Sequence, residues 1–185
     1  MAVGVFFAEG YEEIEALTVV DLLRRADIPV QMVSITGSRQ VTGSHGISVI
    51  MDTLLEEVDF EKLEMLVLPG GMPGTLNLEA CEPLVKQIKS FYGAKKPIAA
   101  ICAAPTILGH LGLLEGQPAC CYPGMEGELV KASVTQDRVT KAEGILTSRG
   151  MGTAIDFGLA IIAHFQGDQA AEEMAQKIVY QCNGF

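Results

Sequence analysis

The sequence has no long apolar run, no signal-like beginning and little positive charge. Its apolar stretches all fall short of the ~20 residues that span a bilayer. The first residues, MAVGVFFAEG, lack the basic region and the cleavable apolar segment of a secretory signal. The formal net charge is −10, which makes nucleic acid and anionic membrane surfaces poor partners. These absences predict a cytoplasmic protein that binds neither nucleic acid nor membranes.

Cysteine pairs at metal-ligand spacing are also missing, and histidine is scarce. The five cysteines form no CxxC pair, and an odd number does not suit a disulfide framework. Cys120 and Cys121 are adjacent and could ligate a soft metal, but the three scattered histidines offer them no evident partners. We therefore expect reduced thiols and no metal site.

What the sequence does contain is a regular alternation of strand-like and helix-like segments. With 185 residues, 49% hydrophobic and 19% charged, the chain fits a single domain, 1–185. Continuous apolar runs such as Val3–Phe7 indicate strands that are buried on both faces. The other predicted elements are strands at Val30–Ile35, Met65–Gly71 and Pro97–Ile101, a hairpin at Val41–Asp52, helices at Glu13–Ala26 and Cys81–Phe91, and two helices from Ala154 onward. This order predicts a doubly wound α/β domain with a mostly parallel sheet and helices on both faces.

One cysteine stands where such a fold places its ligands, at the carboxyl end of a strand. In PIAAICAAPTIL, Cys102 follows a strand and precedes a predicted helix, Ala103–Leu111. The small residues Ala100 and Ala104 on either side are typical of a strand-to-helix nucleophile elbow. The helix dipole would lower the pKa of the thiol. A buried, inert cysteine is the alternative, and the position favours the reactive one.

A second candidate feature is the LPGG turn after another buried strand. Gly70 and Gly71 would let backbone N–H groups face a ligand and, with the N–H of Ala103, form an oxyanion pocket. A glycine pair alone is more often only a turn. No histidine stands near Cys102 in the sequence to act as its base, and Ala103 directly after it cannot do so.

Four blocks of the sequence together resemble the ThiJ/PfpI family: EGYEEIEALTVVDLLRRA, VLPGGMPGTLNL, PIAAICAAPTIL and ILTSRGMGTAIDFGLAII. They are most similar to the branch that contains the Parkinson-disease-associated protein deglycase and bacterial ThiJ-type proteins. The resemblance implies a flavodoxin-like fold of the class I glutamine amidotransferase-like kind. It also implies a homodimer, a nucleophile at Cys102 that is hydrogen-bonded to a protonated Glu15, and backbone donors at Gly71 and Ala103. The implied activity is that of a glyoxalase or deglycase acting on methylglyoxal, glyoxal or their early adducts, without metal or organic cofactor.

Several alternatives remain open at this point. Helical periodicity does not choose between Glu12 and Glu15, and at least one of Glu12, Glu13 and Glu15 is expected to be solvated. Tyr122 stands where relatives of the human type have a histidine near the cysteine, so the third partner of Cys102 is open. Ala103 in place of histidine argues against a protease.

Other functions share the same reactive thiol. A redox sensor or stress chaperone would also use it, whereas no residue supports the historical thiamine-biosynthesis label of ThiJ.

A homodimer would also suit the predicted first helix, because its apolar residues extend beyond one stripe.

Overall fold

The computed structural model describes residues 2–180. The strands are β1 (Ala2–Phe7), β2 (Val30–Ser34), β3 (Gln40–Thr42), β4 (Ser48–Ile50), β5 (Thr53–Leu54), β6 (Leu63–Leu68), β7 (Ile98–Ile101), β8 (Pro118–Ala119), β9 (Ser133–Val134), β10 (Val139–Ala142) and β11 (Ile145–Ser148). The helices are α1 (Glu13–Arg25), α2 (Gly74–Ala80), α3 (Glu82–Gly93), α4 (Pro105–His110), α5 (Ala154–Gln166) and α6 (Asp168–Lys177). None of these helices combines the length and the apolar character needed to cross a bilayer.

Seven strands form one sheet in the order β10-β11-β7-β6-β1-β2-β5. Every neighbouring pair is parallel except β10 and β11. Two short pairs lie apart from it, the antiparallel hairpin β3–β4 and the parallel pair β8–β9. The doubly wound, mostly parallel sheet that the alternating pattern predicts is therefore confirmed.

The sheet is buried on both faces, as the continuous apolar strands indicate. Along β1, Val3, Val5 and Phe7 point into the core beneath α1, α5 and α6. Phe6 points to the opposite core, which α2, α3 and α4 cover. The side chains of neighbouring positions in a strand alternate between faces, so one apolar run supplies two cores.

Two local predictions are wrong. The helix expected at Ala103–Leu111 begins at Pro105 and ends at His110, because Cys102 to Ala104 form a turn instead. Helix α2 is not predicted, since its sequence GTLNLEA opens with a glycine and buries only Gly74, Thr75 and Leu78. Both differences lie at the carboxyl ends of β7 and β6, where the candidate site is built.

Candidate active site

Cys102 lies on a sharp turn directly after β7. Its φ of +65° is in the left-handed region, which a residue with a side chain rarely adopts. Its N–H donates to the carbonyl of Ser148 at 2.9 Å, and its own carbonyl accepts the N–H of Tyr122 at 2.8 Å. The neighbouring Ala100 and Ala104 are fully buried, and their small side chains let the turn pack closely. The turn has the geometry of a nucleophile elbow, as the pattern of small residues predicts.

Individual N–H groups, rather than a helix terminus, surround the sulfur. Because α4 begins only at Pro105, Cys102 does not lie in its first turn, and the predicted contribution of the helix dipole is not supported. The backbone N–H groups of Gly71 and Ala103 donate hydrogen bonds to the thiol instead. The backbone N–H groups of Gly71 and Ala103 thus point at the sulfur, and they are the two donors that the family resemblance implies.

Glu15 reaches the same point from α1. Its side chain is 1% exposed, is hydrogen-bonded to Cys102, and accepts the N–H of Gly70 at 3.0 Å through Oε2. The carbonyl of Gly70 in turn accepts the N–H of Glu12 at 2.9 Å. Gly70 is therefore held at both backbone groups by α1 and the residue that precedes it. The structure selects Glu15, where helical periodicity left Glu12 as an alternative.

The position of Gly70 leaves no room for a side chain. A Cβ there would lie 2.6 Å from the Cβ of Cys102, 2.7 Å from Oε2 of Glu15 and 2.9 Å from the carbonyl oxygen of Ile101. All three distances are shorter than a carbon atom tolerates. Glycine is needed at this position so that the carboxyl and the thiol can meet.

Burial suppresses the ionisation of both groups of the pair, and Glu15 further suppresses that of Cys102. Burial raises the pKa of Glu15 from 4.5 to about 7, although the hydrogen bonds from Cys102 and Gly70 act against this rise. Burial and the adjacent Glu15 carboxyl also raise the pKa of the Cys102 thiol, which outweighs the donors at Gly71 and Ala103. The lowered thiol pKa that the sequence predicts is therefore wrong, because burial and Glu15 together raise the pKa of Cys102. Above about pH 7 the pair holds one negative charge and one proton.

This pair should reduce the stability of the fold at alkaline pH. Between pH 4.5 and about 7 the folded state keeps the Glu15 proton that the unfolded chain has lost, so stability falls as the pH rises through this window. Glu15→Gln removes the buried charge and should raise the free energy of unfolding at pH 8 by about 3 kcal/mol. Urea denaturation at pH 8 and pH 4 measures this, and the gain should be absent at pH 4. A variant less stable than wild type at pH 8 would contradict the assignment of a buried charge.

The other two acids at the start of α1, Glu12 and Glu13, are not solvated, contrary to expectation. Glu13 is 2% exposed, and its carboxylate accepts the N–H of His45 at 2.8 Å and of Ile47 at 3.3 Å. Although its burial opposes ionisation, these hydrogen bonds lower the pKa of Glu13. Glu12 is largely covered and lies 3.4 Å from Nδ1 of His45. The acids therefore have different roles: Glu13 anchors the β3–β4 hairpin to α1, whereas Glu15 faces the thiol.

Within residues 2–180, one group of side chains could share a metal ion. The ligand atoms of Glu12, Glu13 and His45 all lie within 4.8 Å of one another. In the structure these groups already satisfy each other, because Nδ1 of His45 lies 3.1 Å from Oε2 of Glu13, and the contact raises the pKa of His45. The cluster thus has a structural explanation that needs no ion.

Tyr122 and Gly150 complete the surroundings of the pair. Tyr122 is half exposed, and the carbonyl of Cys102 holds its backbone in place. A Cβ at Gly150 would lie 3.5 Å from the Tyr122 ring and 3.9 Å from Oε1 of Glu15. Sequence analysis selects Tyr122 but misses Gly150, whose only signal is its place in the block ILTSRGMGT after β11.

Cys102 should be alkylated before the other described cysteines. Cys120 and Cys121 are buried, and burial together with Glu126 and Cys120 raises the pKa of Cys121 to about 11. Cys81 is half-buried, and Cys182 lies outside the described residues. Because the Glu15 carboxyl can take the proton of Cys102 as the sulfur reacts, limited treatment with iodoacetamide at pH 8 and peptide mapping should label Cys102 first, although the pKa of its thiol is raised. Earlier labelling of another cysteine would contradict the role of the elbow and of Glu15.

Comparison with known proteins places this site in a family. The chain matches the DJ-1/PfpI family over residues 1–164. It is 36% identical over 178 residues to Protein DJ-1 homolog B of Arabidopsis thaliana, covering 95% of this chain and 41% of that protein. It therefore spans less than half of that relative. It is 27% identical over 177 residues to Glutathione-independent glyoxalase DJR-1.2 of Caenorhabditis elegans, covering 92% and 91% of the two chains.

The fold agrees with this match. The solved structure of oxidized Toxoplasma gondii DJ-1 superposes with a TM-score of 0.93 at 34% identity, over 97% of this chain and 98% of that one. The sheet order and the helices on both faces are those of the flavodoxin-like fold that the sequence predicts. On sequence and on structure, the chain belongs to the DJ-1/PfpI family.

Proposed function

We propose that this protein has a DJ-1-type role in the response to stress, as an enzyme that uses Cys102 and Glu15 to convert small reactive carbonyls. The proposed substrates are methylglyoxal, glyoxal or their early adducts. The observation that carries the proposal is the Cys102–Glu15 pair, in which the thiol of a residue with a strained backbone, a buried carboxyl with a raised pKa and two backbone donors meet at one point. The name of the Caenorhabditis elegans relative, a glutathione-independent glyoxalase, supports the same chemistry.

The geometry suits a reaction that begins with addition of the sulfur to an aldehyde. As the S–C bond forms, Glu15 takes the thiol proton, and the aldehyde oxygen gains negative charge. The N–H groups of Gly71 and Ala103 are the donors available to that oxygen, which a proton then converts to the hydroxyl of a hemithioacetal.

The later steps need only proton transfer and water. For methylglyoxal, Glu15 would move the proton of C1 to C2 through an enediol, which turns the hemithioacetal into a thioester of lactate. Water then hydrolyses the thioester, releasing lactate and restoring the Cys102 thiol. The sum is methylglyoxal plus water giving lactate, with no net oxidation and no cofactor.

Formation of lactate from methylglyoxal by the purified protein tests this function. We expect turnover without added glutathione and in the presence of a chelator, at a rate that rises as the pH passes about 7 and the pair loses its first proton. Cys102→Ser should show none. A wild-type protein without turnover, or a serine variant that matches it, would reject the proposal.

A redox role is the second candidate function, and one observation favours it. The structure of the relative from Toxoplasma gondii, 34% identical, is of an oxidized form. Cys102 is only half-buried in this chain, so peroxide could reach it and form a sulfenic acid. A redox sensor would be oxidised at Cys102 but would convert no methylglyoxal, so the lactate assay separates the two functions.

We also propose that two copies of the chain associate through α1 and the β3–β4 hairpin. Ile14, Ile47 and Ile50 are at least half exposed, and the hydrogen bond from the N–H of Ile47 to Glu13 brings the hairpin against the residue that precedes Ile14. Light scattering should give twice the 19.7 kDa mass, and Ile14→Glu should shift the protein toward the monomer. Val134→Glu, at an exposed position elsewhere, should not. A wild-type monomer would contradict the proposal.

A further inference from the structure

Arg149 is a cation at the candidate site that the proposed chemistry does not use. It directly follows β11, whose last residue, Ser148, accepts the N–H of Cys102. The next residue, Gly150, approaches both Tyr122 and Glu15. The backbone of Arg149 therefore lies between strand β11 and the two groups that border the thiol.

The side chain of Arg149 differs from the other arginines of the chain. Arg24, Arg25, Arg39 and Arg138 are exposed and each forms an ion pair, with Asp52, Asp21, Glu57 and Asp156 respectively. Arg149 is half-buried, and it has no ion pair or hydrogen bond among the described residues. In a chain of net charge −10, acidic partners are abundant. A half-buried cation without one is therefore placed to meet an anion from outside the chain.

The charge of Arg149 acts on the thiol of Cys121, whose pKa it lowers against the larger effect of burial. Cys121 precedes Tyr122, and the N–H of Tyr122 donates to the carbonyl of Cys102. Glu126, an acid that also acts on Cys121, accepts the N–H of Gly124 at 2.7 Å. Arg149 thus lies near the segment that carries Tyr122, and this segment is hydrogen-bonded to Cys102 at the carboxyl end of the sheet.

We propose that Arg149 binds a carboxylate of the molecule that reacts at Cys102, so that the site prefers carbonyl compounds that bear an anionic group. The early adduct of a dicarbonyl with an amino acid is of this class, because it keeps the carboxylate of the amino acid. A guanidinium recognises a carboxylate through two parallel hydrogen bonds. The choice of substrate rests on the proposed function, whereas the binding of an anion beside Cys102 does not.

Alkylation of Cys102 tests the anion site without any turnover. Iodoacetate and iodoacetamide have nearly the same shape, and in both the sulfur displaces iodide, but only iodoacetate carries a carboxylate. The rate of each at Cys102 is measured by peptide mapping in wild type, Arg149→Met and Arg149→Lys. Arg25→Met serves as the control, since it removes an exposed arginine that is paired with Asp21.

We expect Arg149→Met to lower the ratio of the iodoacetate rate to the iodoacetamide rate by roughly tenfold or more, because it removes both charge-assisted hydrogen bonds to the carboxylate. The iodoacetamide rate should stay unchanged, and Arg149→Lys should keep part of the preference. Added salt should reduce the wild-type ratio. An unchanged ratio in Arg149→Met, or an equal fall in both rates, would overturn the proposal. If the ratio falls as expected in Arg149→Met but the wild-type protein forms no lactate, the proposed function is rejected and the anion site is supported.

Discussion

Glu15→Gln is expected to lower carbonyl turnover by roughly 10²–10⁴-fold, the usual loss when a general acid–base is removed. Glutamine keeps the shape of the side chain and can still accept the N–H of Gly70, but it cannot take or return a proton. The thiol should remain reactive, because the carboxyl that raises its pKa is gone. The measurement is kcat for methylglyoxal beside the alkylation rate of Cys102 in the same preparation.

Glu12→Gln is the matched control for this variant. Glu12 is one turn away and its side chain lies against His45 rather than Cys102, so turnover should change little. Glu13→Gln is unsuitable as a control, because the buried Glu13 carboxylate holds the hairpin and its loss should destabilise the fold. If Glu12→Gln abolished turnover while Glu15→Gln retained it, the assignment of the proton-transfer group would be wrong.

Gly70→Ala should also abolish turnover, for a steric reason. The added methyl group would lie 2.6 Å from the Cβ of Cys102 and 2.7 Å from Oε2 of Glu15, so the carboxyl and the thiol could not keep their hydrogen bond. Misplacement of about 1 Å costs on the order of 10²-fold in rate. We expect at least this loss in kcat, and a lower melting temperature because the site is overpacked.

Gly93→Ala controls for the loss of a glycine as such. Position 93 ends α3, and a Cβ there meets nothing within 4 Å. Its turnover and melting temperature should match those of wild type. Wild-type activity in Gly70→Ala would show that the close contact between Glu15 and Cys102 is not required.

The alternation of apolar strands and helices predicted the sheet, because continuous apolar runs such as Val3–Phe7 indicate strands that are buried on both faces. The sequence also predicted a sharp turn at Cys102, since small residues around a cysteine after a strand are typical of a nucleophile elbow. The spacing did not settle the choice of Glu15, because Glu12 shares the same helical stripe. That choice depends on the contact with Gly70, which joins residues 55 positions apart in the chain.

Three features lay beyond sequence reasoning for related reasons. The pKa of Cys102 is set by its burial and by a carboxyl brought from α1, and neither is encoded near the cysteine. The same holds for Glu13, whose four hydrogen-bonding partners in the hairpin include two backbone N–H groups. Arg149 is visible in the block ILTSRG, but only the fold shows that it has no ion pair with an acid of residues 2–180.

Titration of Cys102 against activity tests the central claim most directly. The protein is treated with increasing iodoacetamide, and the fraction of modified Cys102 is compared with the remaining conversion of methylglyoxal to lactate. We predict that activity falls in proportion to the modified fraction and reaches zero when Cys102 is fully modified. Activity that persists after complete modification of Cys102 would contradict the account.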